Sequence, residues 1–201
     1  MTAQSEKIII GLTGGIACGK STAGKFFKEL GWELISTDQI VSDLLDQDDE
    51  VISDIKSRWG NIVWQDSSLE RKEIGSIVFR DPDERKWLES ILHPKVRSHW
   101  SNALEDSHFG RIIVEIPLLF ENNLEKNFNN TICVFASEQT QKERLLHRGL
   151  TKDESNDRIR SQLPTKEKSR LADIVLLGEG SFSFLKRQIC HLHANIYKPV
   201  C

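Results

Sequence analysis

The segment Gly14-Gly15-Ile16-Ala17-Cys18-Gly19-Lys20-Ser21 constrains this chain more tightly than anything else in its 201 residues. Glycine, four residues and then Gly-Lys-Ser is the spacing of a loop whose backbone N–H groups surround phosphate oxygens. Its flanks suit that use. Ile8 to Leu12 is a nearly unbroken apolar run, as in a strand covered on both faces. Ala23, Phe26, Phe27 and Leu30 recur at i, i+3, i+4 and i+7, the pattern of an amphipathic helix that Gly31 can end. The helix N-terminus adds partial positive charge to the cradle. Lys20 then brings a full charge to β- and γ-phosphates, Ser21 is placed to ligate Mg²⁺, and Thr22 can donate to a phosphate as well. The competing reading is a chance match in a tight glycine turn, and the strand before and helix after speak against it. A dinucleotide-binding turn is excluded, because Ile16 stands where its second glycine is required. Cys18 is either an oxidisable thiol at a helix head or a small inert loop residue, and the second reading is preferred.

Four more β-branched or aliphatic runs follow: Glu33 to Ser36, Ile112 to Ile116, Ile132 to Ala136 and Ile174 to Leu177. Strands alternating with helical patterns predict a three-layer α/β fold on a five-stranded parallel sheet. The core is expected in residues 1–38, 111–136 and 173–201. Residues 39–110 hold several helical patterns, among them Trp87, Leu88, Ile91 and Leu92, and no convincing strand. That stretch is too long for a plain connection, so a mostly helical insertion is expected there, either a second binding surface or a structural elaboration. Residues 137–172 carry nine Lys or Arg against six Asp or Glu at helical spacing. A solvated helix pair and a lid that moves arginines toward phosphate both fit such a run.

Charged residues at 28% and hydrophobic residues at 38% are ordinary globular usage. A formal net charge of −3 lacks the Lys and Arg excess that phosphate-backbone binding needs, so no nucleic-acid partner is expected. Cys18, Cys133, Cys190 and Cys201 are scattered and are read as reduced thiols of a cytoplasmic protein. The apolar run at Ile8 to Ile10 is too short for a signal segment or a membrane span.

The loop alone does not separate a kinase from a GTPase, a motor or a nucleotide-responsive binding module. A guanine-specific [NT]KxD sequence is approached only by Thr151-Lys152-Asp153-Glu154, with Glu at the required aspartate. Asp38 follows the second strand on the edge where parallel sheets bind ligands, where a carboxylate can orient an acceptor hydroxyl. Capping a helix that starts at Gln39 is the equal alternative. Glu115, near the end of the third strand, can support Mg²⁺ through water or form an ion pair with Arg71 or Lys20.

Taken together, these and later residues resemble the dephospho-CoA kinase family from Ile10 to about Leu185. The resemblance runs through Gly11-Leu12-Thr13-Gly14-Gly15-Ile16, Asp38, Leu69-Glu70-Arg71, Val78-Phe79 and Ile91-Leu92-His93-Pro94. It continues through Glu115-Ile116-Pro117-Leu118-Leu119-Phe120-Glu121, Arg144 with Arg148, Arg158 with Gln162, and Ala172-Asp173. It implies a P-loop kinase core, a helical region at 39–110 for the coenzyme moiety and an arginine-bearing lid at 137–172. The implied reaction carries the ATP γ-phosphate to the 3′-hydroxyl of dephospho-CoA, with Mg²⁺ as cofactor. Asp38 becomes the favoured base, and Arg71, His93 and Pro94 fall on the acceptor side. Arg148, then Arg144 and Arg158, face the nucleotide phosphates, while Arg160 and Arg170 are read as surface charges. His93-Pro94 can equally shape a turn and cap.

The chain departs from the family at Gly149, where aspartate is common, and at Leu177-Gly178, where asparagine usually lies near adenine. A zinc reading of Cys190, His191, His193 and Cys201 is set aside on spacing. A monomer or small homo-oligomer is expected. Other nucleoside, nucleotide or sugar kinases remain the alternative.

Overall fold

The computed structural model describes residues 7–65 and 68–196, and Cys201 lies outside them. In chain order the strands are β1 (Ile8–Gly14), β2 (Glu33–Ser36), β3 (Trp64–Gln65), β4 (Ser68–Leu69), β5 (Arg111–Glu115), β6 (Asn130–Phe135) and β7 (Ile174–Leu177). The helices are α1 (Lys20–Glu29), α2 (Thr37–Gln47), α3 (Asp49–Trp59), α4 (Arg71–Arg80), α5 (Pro82–Asp106), α6 (Glu138–His147), α7 (Lys152–Arg160), α8 (Thr165–Leu171) and α9 (Phe182–Ile196). They form two compact units, residues 1–36 with 107–201, and residues 37–106.

The first unit is built on a five-stranded sheet in the order β2-β5-β1-β6-β7, parallel at every pairing. All five apolar runs correspond to its strands, two with the same bounds and three with ends shifted by one or two residues. β1 holds the centre, where Ile10 and Leu12 are completely buried between β5 and β6. Leu12 pairs in register with Glu115 on one side and Ile132 on the other. The loop after β1 and the acid ending β5 therefore emerge on the same edge, where α/β sheets present ligands. α1 packs Ala23 and Phe27 into the core, joined by Leu185 and Ile189 of α9. The two histidines of α9 that invited a metal reading have other partners. His193 Nδ1 accepts from Trp32 Nε1 at 3.0 Å, and His191 Nε2 lies 2.9 Å from Asn195.

Residues 137–172 form three short helices rather than a pair. Gly149, at φ 85°, closes α6 in a left-handed turn, and Pro164 leads into α8. A capping box at Thr151 and Glu154 starts α7.

The second unit is helical, with a two-stranded hairpin of β3 and β4 that the sequence did not announce. Strands of two residues have no alternation to read. Asp48 starts α3 by accepting from Val51 N at 3.0 Å and pairs with Lys95 of α5. That amide holds its carboxyl below the usual carboxylate range. Leu88, Leu92, Val96 and Trp100 form the buried stripe of α5. Pro94 lies inside this helix, not at its start, so of the two readings of His93-Pro94 the turn and cap is not the one the structure adopts. The proline removes only the bond that Ser90 O would have accepted, a loss a packed 25-residue helix withstands.

Candidate functional site

The loop from Gly14 to Thr22 owes its shape to backbone conformations that only some positions accept. Gly14 has φ 147°, and a Cβ there would sit 2.3 Å from Val134 O, so β6 passes too close for any side chain. Gly19 at φ 101° precedes α1, and Ala17 takes φ 58°. Gly15 is equally hemmed in, since its Cβ would fall 2.1 Å from Thr165 Oγ1 and 2.2 Å from Gln141 Nε2.

The outward carbonyls of this loop are bound by α6. Gln141 Nε2 donates to Ile16 O at 2.8 Å, and Arg144 Nη1 donates to Ala17 O at 2.9 Å. In a planar trans peptide the N–H points opposite to the C=O, so holding Ile16 O outward turns the Ala17 amide inward. An anion-binding concavity requires that polarity. Lys20 is buried at the head of α1, and its Nζ donates to Gly14 O and Gly15 O at 3.1 and 3.0 Å.

Ser21 Oγ donates to Glu115 Oε1 at 2.9 Å, bringing the first turn of α1 to the end of β5. Glu115 is 2% exposed. A hydroxyl and a carboxylate meeting at a phosphate loop form an all-oxygen donor set, which suits Mg²⁺ better than a thiolate or imidazole metal. The ion-pair partner of Arg71 is local. This arginine belongs to the second unit, where it bonds Ser42 and pairs with Asp46 at 2.6 Å.

Arg144 Nη2 also donates to Gly178 O at 2.7 Å, so one guanidinium ties the phosphate loop to the turn after β7. Gly178 has close packing as its reason. A Cβ there would meet Cys18 O at 1.9 Å, leaving no room for the asparagine expected near adenine. Glu179 fixes the same turn to α6, accepting from Ser137 N and from Thr140 Oγ1 at 3.1 Å, and the Ser137 side chain, then its amide, hold the carboxyl below its ordinary value. Arg148 is exposed at the end of α6, and Arg158 is half-buried on α7. Arg160 and Arg170 are exposed. A cavity of about 660 Å³ opens beside the loop, lined by Gly15, Ile16, Gln141, Ile159, Arg160 and Thr165 among others.

The remaining predicted residues lie in the second unit. Asp38 is exposed in the first turn of α2, two residues beyond Ser36, which pairs in register with Glu115. The helix begins at Thr37, so Asp38 is within it rather than capping one that starts at Gln39. His93 and Pro94 lie on α5.

Sequence reasoning missed Gln141, Thr165 and Lys168, which are buried polar residues around the loop. One signal was available for Gln141. It lies four residues before Leu145 on the single buried face of a charged helix. Cys133, deep in β6, is pushed up to about 12 by burial and is an unreactive thiol at neutral pH.

The dephospho-CoA kinase family profile matches residues 8–183. A dephospho-CoA kinase from Parasynechococcus marenigrum is 36% identical over 190 residues, covering 92% of this chain and 96% of its own. A solved structure from Thermus thermophilus superposes with TM-score 0.79 at 30% identity, over 96% of this chain and 100% of its own. A dephospho-CoA kinase structure from Campylobacter jejuni gives TM-score 0.63 at 27% identity, over 94% and 97%.

Proposed function

The chain belongs to the dephospho-CoA kinase family, and from that premise we propose how its residues carry the γ-phosphate of ATP to the ribose 3′-hydroxyl of dephospho-CoA. The observation that carries the reading is the Ser21–Glu115 hydrogen bond at the mouth of the phosphate loop. Main-chain amides from Gly14 to Thr22 grip the triphosphate, and the ammonium of Lys20 exchanges the loop carbonyls for β- and γ-phosphate oxygens. Ser21 and Glu115 would hold Mg²⁺, Glu115 through water, and the ion supplies positive charge against the phosphate oxygens.

Asp38 accepts the 3′-hydroxyl hydrogen bond and aims the oxygen at the γ-phosphorus. As the new O3′–P bond forms, the bond from phosphorus to the ADP oxygen breaks, and the hydroxyl proton passes to the Asp38 carboxylate. Coenzyme A and ADP leave. Arg148 and Arg158 bring charge to the transferring group. Arg144 supports the loop from behind, and on closure can exchange a carbonyl for phosphate. The helical unit supplies Arg71, His93 and Pro94 to the coenzyme moiety. Catalysis is mostly positioning and electrostatics. No helix among the described residues is long and apolar enough to cross a membrane. The same reading places the enzyme in the cytoplasm as a monomer or small homo-oligomer acting on a small molecule.

The test incubates the protein with Mg·ATP and, separately, dephospho-CoA, AMP, shikimate and gluconate, and measures ADP. Turnover on dephospho-CoA alone is expected. Turnover on another acceptor without dephospho-CoA activity overturns the reading.

A further inference from the structure

Lys168 is a cation that the reaction as drawn does not use, yet its side chain is completely buried. On α8 it donates to Pro117 O at 2.6 Å and pairs with Glu121 Oε1 at 2.8 Å. Pro117 O is shared: Thr13 Oγ1 donates to it at 3.1 Å from the end of β1. Glu121 Oε1 is shared too, accepting from Leu163 N at 2.9 Å, just before α8. One ammonium thereby joins the end of β1, the chain leaving β5 and the segment that enters α8. Pro117 lies two residues beyond Glu115, and Thr13 directly precedes Gly14.

One turn earlier on α8, Thr165 presses on the phosphate loop. Its Oγ1 is 3.7 Å from Cys18 Sγ and occupies the space a Gly15 side chain would need. α8 therefore touches the loop with Thr165 and the chain beyond Glu115 with Lys168.

Stripping water from an ammonium is expensive, and an apolar side chain would pack here at less cost. An apolar chain cannot hold a carbonyl. The node also has acceptor capacity to spare, since Glu121 Oε2 is buried without a hydrogen-bond partner among the described residues. We infer that Lys168 is a positioning residue for phosphoryl transfer: by holding the Pro117 carbonyl it fixes the Glu115 end of β5 against the phosphate loop. This rests on Glu115 supporting the metal, as read above.

Lys168→Met alone would strand the Glu121 charge, so the test pairs it with Glu121→Gln, removing both charges. The double variant is expected to melt near the parent. It should need about tenfold more Mg²⁺ for half-maximal turnover and lose about ten- to a hundredfold in kcat, with KM for ATP little changed. Thr13→Val, which removes only the other donor to Pro117 O, should shift the Mg²⁺ requirement the same way by less. Parental Mg²⁺ dependence in a folded double variant overturns the inference; should that variant not fold, parental Mg²⁺ dependence in Thr13→Val does so. Glu115→Gln, run alongside, separates the two ideas. Unchanged Mg²⁺ dependence there sinks the metal reading itself, whatever Lys168 does.

Discussion

Across 94 residues of sequence, the hydroxyl of Ser21 and the carboxylate of Glu115 meet at 2.9 Å. Neither residue's neighbours dictate the meeting. It follows from β1 lying beside β5, which sets Leu12 opposite Glu115 and brings the head of α1 to that acid.

Removing either partner should loosen metal support more than nucleotide binding. Glu115→Gln is expected to lower kcat by about ten- to a hundredfold and to raise the Mg²⁺ concentration for half-maximal rate. Ser21→Ala should act in the same direction. Steady-state rates over a Mg²⁺ titration at saturating substrates check both.

Asp38→Asn keeps shape and hydrogen bonding but loses the proton acceptor. The expected outcome is a fall in kcat of about a hundredfold or more, with ATP affinity by calorimetry within about twofold of the parent. Parental turnover would remove Asp38 from the reaction.

Gly178→Ala forces a methyl to within 1.9 Å of Cys18 O, so either the turn after β7 or the phosphate loop must move. The Arg144 bonds to Gly178 O and Ala17 O would lengthen together. A loss of about 1–3 kcal/mol in stability and at least about tenfold in ATP affinity is expected. Gly110→Ala, with open space at its Cβ, should change neither in the same melts and titrations.

Asp173 joins the start of β7 to the start of β6, accepting from Thr131 N at 2.7 Å and Thr131 Oγ1 at 2.8 Å. The Thr131 amide holds its carboxyl below the ordinary value. A depressed folded pKa stabilises fully above the unfolded value of about 3.9, and the contribution disappears as pH falls through the lower folded value. Asp173→Asn should therefore be less stable at pH 7, by about 1 kcal/mol, and should lose less than the parent on acidification below about pH 4. Urea midpoints at neutral and acid pH would show it; equal acid losses in both proteins would contradict the assignment.

The parts legible in sequence were those encoded over a few residues. Glycines at 14 and 19 announce the positive φ values at those two positions of the loop, and the apolar spacing around it gives β1 and α1. The strand runs are equally local, because burial on both faces leaves an unbroken apolar stretch. The hairpin of β3 and β4 escaped notice for want of any period, and Pro94 misled because its helix is held by a buried stripe on α5 rather than by propensity.

By itself the sequence determined the phosphate loop and the alternation of strands and helices, since dihedral preference and hydrophobic period are written within single segments, and the ordered motifs along the chain carried the resemblance to the family. Only the tertiary structure decided that Arg144 grips two backbone carbonyls, that Gly178 is glycine because Cys18 lies against it, and that Lys168 is sealed inside. A polar side chain's partners come from segments distant along the chain, and its own neighbours in sequence carry no record of them.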